Sequence, residues 1–180
     1  MIIVGKWYPY QESIRVPLII YDPRMPKNKR GTLDDSLTLN IDLAETILGA
    51  AGIKPDELMQ GRDISELYLP PTMDSEERAS WRDEFFYEFP SPEEDYIPSS
   101  TALVRKDWKY IKWQAYDREQ FFHLKEDPLE QNDLWESQPN NTILSEMRRR
   151  HDELLGELHD PSYVNDEVCD SFKELNPDIA

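Results

Sequence analysis

The chain has 180 residues, enough for one ordinary domain or for one domain and a small second one, and too few for a large self-contained multidomain enzyme. It carries 20 Lys and Arg against 37 Asp and Glu, for a formal net charge of −17. Because this charge repels polyanions, nucleic acid and anionic membranes are excluded as the main expected partners. The five Trp, nine Tyr and six Phe residues indicate a folded core rather than a disordered acidic tail.

The N-terminal third predicts one strand and one helix. The apolar run from Val16 to Tyr21 is too short for a membrane span and ends at Asp22-Pro23, a pattern typical of a strand covered on both faces. A helix of about 12 residues is predicted after it, with Asn40 or Thr38 as its N-cap and Gly52 as its stop. Its apolar residues recur at helical spacing: Ile41, Ala44, Ile47, Leu48 and Ala51.

The composition changes near Pro70-Pro71. Residues 1–60 hold 7 basic and 8 acidic side chains, whereas residues 61–180 hold 13 basic and 29 acidic ones. This shift predicts a boundary between two structural units, with a short polar helix over residues 72–83 at the start of the second unit. Strands are then predicted at 84–89, 100–105, 108–113 and 120–123, and their close spacing indicates an antiparallel set.

The last periodic element spans about residues 141–158 and predicts an amphipathic helix capped by Thr142 or Asn140. Residues 160–180 show no sustained period and are expected to form a surface tail. The apolar stripe of the helix consists of Ile143, Leu144, Met147, Leu154, Leu155 and Leu158.

The clusters of reactive or charged side chains favour structural interpretations. Of the three histidines, His151 and His159 are predicted to lie on a helix surface, and His123 ends the predicted strand over 120–123. The acidic groups Asp34-Asp35 and Glu93-Glu94-Asp95 lack the alternating ligand spacing of a calcium loop and are predicted to be solvated. Arg148 to Arg150 is predicted to be a solvated helix face that pairs with Glu146, Asp152 or Glu153. The Trp108–Trp113 alternation favours a half-buried strand over a nucleic-acid platform.

Lys6 has the most informative context among the charged residues. It follows Gly5 and precedes the aromatic stretch that leads into the apolar strand. A Lys ammonium at a strand entry is a compact point charge that can hold sulfate or phosphate oxygens. From composition alone, however, Lys6 is expected to be an ordinary surface residue.

Several segments in order resemble the sulfatase family. Residues 5–20, from Gly5-Lys6-Trp7 to Ile20, are similar to the sulfatase segment Gly-Lys-Trp-x-x-Tyr-Glu-Glu-Ser-x-Arg-Val-Pro-Leu-Ile. Residues 40–53 and 59–62 resemble the helix and loop that follow in that family. Residues 104–111 and 122–134 resemble its C-terminal subdomain. The resemblance covers about residues 5–158, with mild departures at Gln11, where Glu is usual, and at Glu45, where Pro is usual.

The resemblance implies an α/β and α+β fold. Residues 1–70 would be the C-terminal end of the alkaline-phosphatase-like catalytic sheet domain. Residues 71–160 would form a small antiparallel sheet packed by a C-terminal helix, and residues 161–180 would be a surface tail.

The resemblance also assigns a sulfate-contacting role to Lys6. The family's nucleophile is a formylglycine made from Cys or Ser in a Cys/Ser-x-Pro/Ala-x-Arg motif. The single Cys169 is followed by Asp-Ser-Phe-Lys and does not match that motif. No cofactor is expected in this chain, although a complete family member is implied to bind Ca²⁺ through residues upstream.

The sequence therefore favours a C-terminal fragment of a sulfatase acting on sulfated carbohydrate, inactive alone. Its expected partner is the missing N-terminal catalytic segment, and a homo-oligomer is a further expectation. Met1 to Trp7 predicts no signal peptide, although the family implies a periplasmic or extracellular location. Two alternatives stay open: a fragment of a phosphonate or phosphate monoester hydrolase of the same superfamily, and a non-catalytic acidic interaction domain.

Overall fold

A computed structural model describes residues 8–70, 80–90, 98–116 and 118–158. The chain divides into two compact units. The sheet unit contains the described residues up to Arg15 and those from Phe86 onward, and the helix–loop unit contains those between Val16 and Phe85.

The described elements are three helices and four strands, with short 3₁₀ turns between some of them. The helices are α1 (Gln11–Ile14), α2 (Asp42–Ala50) and α3 (Thr142–Leu158). The strands are β1 (Glu84–Phe89), β2 (Ser100–Arg105), β3 (Trp108–Trp113) and β4 (Arg118–His123).

The four strands form one sheet in the order β1-β2-β3-β4. Both β2 with β3 and β3 with β4 pair antiparallel, and Tyr110 lies opposite Leu103 on one side and Phe121 on the other. The predicted antiparallel sheet and C-terminal helix are confirmed. The alternation that predicted β3 is the one expected when side chains alternate between the two faces of a strand.

Helix α3 covers one face of this sheet. Leu103, Tyr110 and Phe121 point to that face and pack against Leu144 and Met147 of the helix, and all five are at most 1% exposed. Asn141 caps the helix, since its Oδ1 accepts a hydrogen bond from the Ile143 backbone N–H at 2.9 Å, in place of the predicted Thr142 or Asn140.

Ion pairs border the contact between α3 and the sheet. The prediction of a wholly solvated Arg148–Arg150 face is wrong for Arg148, whose guanidinium lies 4.8 Å from the Trp135 ring centroid. Arg149 and Arg150 do pair along the helix with Glu153, as predicted. The pairs between helix and sheet are Arg105–Glu146 at 2.8 Å, Lys112–Asp152 at 3.6 Å and Arg148–Glu119 at 2.5 Å.

In the helix–loop unit, α2 ends as the sequence predicted. Gly52 has a φ of 70°, which glycine adopts without steric cost, and the Ile53 N–H donates to the Leu48 carbonyl at 2.9 Å. The beginning of the helix differs from the prediction. Its N-cap position is Ile41, which makes no side-chain cap hydrogen bond, so neither Thr38 nor Asn40 is the cap.

Asp42 organises the helix–loop unit. It is fully buried, and its carboxylate accepts hydrogen bonds from both terminal nitrogens of Arg82 at 2.5 and 2.6 Å. It also accepts the backbone N–H groups of Leu39 and Arg62 at 2.7 and 2.9 Å. One carboxylate therefore joins α2 to three other parts of the unit.

The predicted strand from Val16 to Tyr21 is wrong for this structure. In the described part of the chain these residues form no strand, and Ile19 and Tyr21 are 93% and 90% exposed. A strand requires a neighbour to accept and donate its backbone hydrogen bonds, and no described segment of the chain pairs with this run. The α/β half of the predicted fold is therefore not formed as a sheet here.

Two further predictions lie outside the described residues: most of the 72–83 helix and the tail over residues 161–180. Among the residues that the structure does describe, no helix combines the length and apolar character needed to cross a membrane.

The role of Asp42 can be tested by substitution. Asp42→Ala leaves the partly buried Arg82 guanidinium without its carboxylate, and we expect it to lower the free energy of unfolding of the helix–loop unit by about 3 kcal/mol. Hydrogen exchange of peptides covering α2 measures this loss. Glu57→Gln breaks an exposed ion pair with Lys54 in the same unit and should leave the exchange unchanged. Equal exchange in the two variants would contradict the role of Asp42.

Candidate functional site

Lys6, the one residue predicted to contact substrate, lies outside the described residues. The description begins two residues later, at Tyr8, and the segment that follows Lys6 can be examined in detail. We call residues 8–11 the anchor segment. It belongs to the sheet unit and lies on one face of the sheet. This face is formed by alternate residues of β2, β3 and β4, and α3 covers the opposite face.

Aromatic contacts hold the anchor segment on the sheet. The Tyr8 ring lies edge-on to Trp113 with a centroid distance of 5.4 Å, and Tyr10 lies edge-on to Phe122 at 6.2 Å. The Tyr10 hydroxyl donates to Oε1 of Gln120 at 2.8 Å, and the Trp113 indole N–H donates to the same oxygen at 2.8 Å. Burial raises the pKa of the Tyr10 hydroxyl, so this donor keeps its proton at neutral pH.

A buried ion pair makes two more contacts with the anchor segment. Nζ of Lys109 lies 2.6 Å from Oε1 of Glu130, and the side chains are 0% and 2% exposed. The same Nζ donates to the Pro9 carbonyl at 2.8 Å, while Oε2 of Glu130 accepts the Gln11 backbone N–H at 2.5 Å. Both charges are therefore satisfied partly by each other and partly by the backbone of the anchor segment. Burial lowers the pKa of Lys109, and the nearby Glu130 opposes that shift.

Glu130 is held in a backbone conformation that disfavours most side chains. Its φ is 53°, in the left-handed region, which costs a non-glycine residue about 1–2 kcal/mol. The Asp127 turn stabilises it, since the Glu130 N–H donates to the Asp127 carbonyl at 3.1 Å and the Asn132 N–H donates to the Asp127 carboxylate at 2.8 Å. A position that would favour glycine is thus occupied by Glu130, and the turn directs its carboxylate towards Lys109.

Sequence reasoning missed both members of this pair. The alternation in β3 was interpreted as a half-buried strand, but Lys109, Tyr110 and Ile111 are all buried, so both faces are covered. A signal was present in the segments similar to sulfatases, which include both Lys109 and Glu130, although spacing alone does not bring them together.

His151 is not a surface histidine, and that prediction is wrong. It is 0% exposed, its Nε2 lies 2.9 Å from the Thr101 hydroxyl, and its ring packs edge-on against Tyr110 at 5.1 Å. Its Nδ1 lies 3.0 Å from the Asp152 carboxylate. The missed signal is its position four residues after Met147, which places it on the apolar stripe of α3.

Some of the other histidines and acidic clusters singled out in the sequence lie within the described residues, and some lie outside them. His123 lies at the end of β4, where the predicted strand over 120–123 also ends, and is edge-on to Trp108 at 4.1 Å. Asp34 and Asp35 are exposed, as predicted. His159 and Glu93 to Asp95 lie outside the described residues. Within the described ranges, no group of three or more His, Cys, Asp or Glu side chains is arranged to hold a metal ion.

Comparison with known proteins shows the class to which this sheet and its anchor segment belong. A family model described as "N-sulphoglucosamine sulphohydrolase, C-terminal" matches residues 3–157. An arylsulfatase from Clostridium perfringens is 29% identical over 145 residues, which cover 80% of this chain and 28% of that protein. An N-acetylglucosamine-6-O-sulfatase from Bacteroides thetaiotaomicron is 27% identical over 184 residues, covering 96% of this chain and 28% of that protein.

Solved structures share the fold. A 2-O GAG sulfatase aligns with a TM-score of 0.63 at 19% identity, over 77% of this chain and 29% of its own. A protein solved in complex with its substrate D-glucosamine-2-N,6-O-disulfate aligns with a TM-score of 0.54 at 22% identity, over 64% of this chain and 23% of its own.

The fold and these matches define a C-terminal region of sulfuric ester hydrolases. The chain belongs to the sulfatase C-terminal family represented by that model. It spans 28% of the length of the first two curated relatives, so the sheet unit and the helix–loop unit correspond to a limited part of a whole sulfatase.

Burial of His151 predicts a pH-dependent stability. Burial lowers the pKa of His151 below 6.5, although Asp152 opposes this shift. The unfolded chain therefore takes up the proton first as the pH falls, and the free energy of unfolding should decrease from about pH 6.5 downward while this residue contributes no slope above about pH 7.5. Urea unfolding of the wild type and of His151→Gln between pH 8 and pH 5 measures the difference. Parallel pH profiles for the two proteins would contradict the assignment.

Proposed function

We propose that this chain is the C-terminal part of a carbohydrate sulfatase, in which Lys6 contacts the sulfate group of the substrate. The observation that supports this role is the anchor segment. Residues 8–11, which begin two positions after Lys6, are held on a covered sheet face by the buried Lys109–Glu130 pair and by the Tyr10–Gln120 hydrogen bond. A cationic side chain close in sequence to a fixed segment has less orientational freedom to lose when it binds an anion.

Sulfated amino sugars are the substrate class that the relatives favour. One relative is named for the 6-O-sulfate of N-acetylglucosamine, and one of the solved structures holds D-glucosamine-2-N,6-O-disulfate as its substrate. We carry this class over to the present chain as a proposal, because the chain spans only a limited part of those proteins.

The proposed chemistry divides between this chain and a catalytic segment N-terminal to it. Hydrolysis of a sulfate ester requires a nucleophile at sulfur and positive charge at the oxygens that gain negative charge in the transition state. In this proposal Lys6 contributes to the second requirement. The described residues of this chain do not fit a Ca²⁺ site, since they offer no cluster of three acidic or His ligands. The Ca²⁺ ligands and the nucleophile are therefore assigned to the N-terminal segment.

The exposed apolar residues of the helix–loop unit support the same division. Ile19, Tyr21 and Ile47 are 93%, 90% and 68% exposed. Large apolar side chains that are close together in a fold are usually buried. We propose that Val16 to Tyr21 forms a strand of the catalytic sheet domain when the N-terminal segment is present. Residues 1–70 would then be the end of that domain and residues 71–160 the C-terminal subdomain.

A complementation experiment tests the proposed function. The N-terminal segment of the Clostridium perfringens arylsulfatase, cut where its similarity to this chain begins, is fused to this chain and assayed with an aryl sulfate and with N-acetylglucosamine 6-O-sulfate. We expect activity from the fusion and none from either part alone. Lys6→Ala should lower kcat/KM by about 10²-fold, the usual effect of removing one group that stabilises transition-state charge. Lys27→Ala, a change at an exposed Lys, should not.

One control makes a negative result decisive. The same N-terminal segment fused to its own C-terminal region must be active, so that the cut itself is shown to be tolerated. A folded but inactive fusion beside that active control would contradict the proposal. Cleavage of an aryl phosphate in preference to the aryl sulfate would instead support the phosphate monoester hydrolase alternative.

A further inference from the structure

We propose that the buried Lys109–Glu130 ion pair is a positioning device for the substrate-contacting segment, and that Lys109 and Glu130 are therefore positioning residues for the sulfatase reaction. This inference rests on the proposed function of Lys6. It adds two residues outside the Lys6 segment, one on a strand and one in a turn, that determine where that segment lies.

The ion pair contacts the backbone of the anchor segment at two positions, one before and one after Tyr10. Lys109 donates to the Pro9 carbonyl at 2.8 Å, and Glu130 accepts the Gln11 backbone N–H at 2.5 Å. The two contacts fix one acceptor and one donor, two residues apart, on either side of Tyr10. A charged pair with one backbone contact on each member restricts both the position of the segment and its rotation.

The energetics favour positioning over stability as the reason for the pair. Two charges that are 0% and 2% exposed have lost nearly all their hydration. A buried ion pair seldom stabilises a fold more than apolar side chains of the same volume would. Glu130 also occupies a left-handed backbone conformation, with a φ of 53°, where glycine or asparagine would be less strained. These costs are accounted for if the pair determines the path of the anchor segment.

The position of the pair along the chain connects it to Lys6. Pro9 follows Lys6 by three residues, a distance of about 10 Å at most along an extended backbone. Fixing the Pro9 carbonyl therefore limits the volume that the Lys6 ammonium can reach. A displacement of about 1 Å at a reacting group can lower a rate by about 10²-fold, so a loosened anchor segment should have a measurable effect on catalysis.

The first test measures the anchor segment in the 180-residue chain. The double variant Lys109→Met, Glu130→Gln removes both charges at similar volume and should keep the melting temperature close to that of the wild type. Hydrogen exchange of the peptide covering residues 8–14 should nevertheless become about tenfold faster, because the Lys109 contact with Pro9 is lost. Exchange of the β2, β3 and β4 peptides should be unchanged. Unchanged exchange over residues 8–14 would overturn the proposal.

The matched control is another ion pair, whose Lys also lies on β3. Lys112→Met, Asp152→Asn removes a pair with a separation of 3.6 Å and exposures of 38% and 60% on the α3 side of β3. It should affect neither the exchange of residues 8–14 nor the activity. A change as large as that of the Lys109 double variant would show a general effect of altering β3 and would overturn the assignment.

The second test separates this inference from the proposed function. In the active fusion described above, the Lys109 double variant should lower kcat by about 10- to 100-fold with a smaller change in KM, after correction for the folded fraction. If Lys6→Ala lowers kcat/KM and the double variant does not, the positioning role is wrong and the proposed function stands. If Lys6→Ala has no effect in an active fusion, the proposed role of Lys6 fails, and the positioning role fails with it.

Discussion

The sheet must be covered on both faces, and the rest of the sheet unit follows from this requirement. Leu103, Tyr110 and Phe121 point to one face, while Ile111 and Phe122 point to the other, and each of them is at most 1% exposed. Helix α3 covers the first face. The second face is covered partly by the anchor segment, in which Pro9 is buried and its neighbours are partly buried, although nearly a hundred residues separate it from β3 in the sequence.

This arrangement connects stability with the proposed chemistry. A segment that packs against the core is limited in its displacement, because closely packed interiors yield little. The anchor segment contacts three polar groups on this side of the sheet: Gln120 through the Tyr10 hydroxyl, and Lys109 and Glu130 through the backbone of Pro9 and Gln11. The anchor segment is therefore held by hydrogen bonds that have specific directions, which apolar contacts alone would lack.

The elements predicted best from the sequence are those whose pattern is local. Strands β1, β2 and β3 have the predicted bounds, and α3 begins one residue after its predicted start, because turns and periodicity depend on neighbouring residues in the chain. The resemblance to sulfatases could also be recognised from the sequence, since it rests on short segments that follow one another in the same order as in that family. The Lys109–Glu130 pair was not predictable from periodicity, because a turn residue and a strand residue 21 positions apart meet only through the tertiary fold.

The wrong predictions have a common physical origin. Lys109 and His151 were expected near solvent because of their chemical type, whereas Val16 to Tyr21 was expected to be buried because of its apolar character. Burial, however, depends on what packs against a residue. Lys109 is buried because Glu130 and Pro9 satisfy its charge, and His151 because Thr101 and Asp152 satisfy its nitrogens. Ile19 is 93% exposed because no described strand pairs with its segment. An exposed apolar segment with no neighbour and a buried charge with two partners are thus consequences of the same rule.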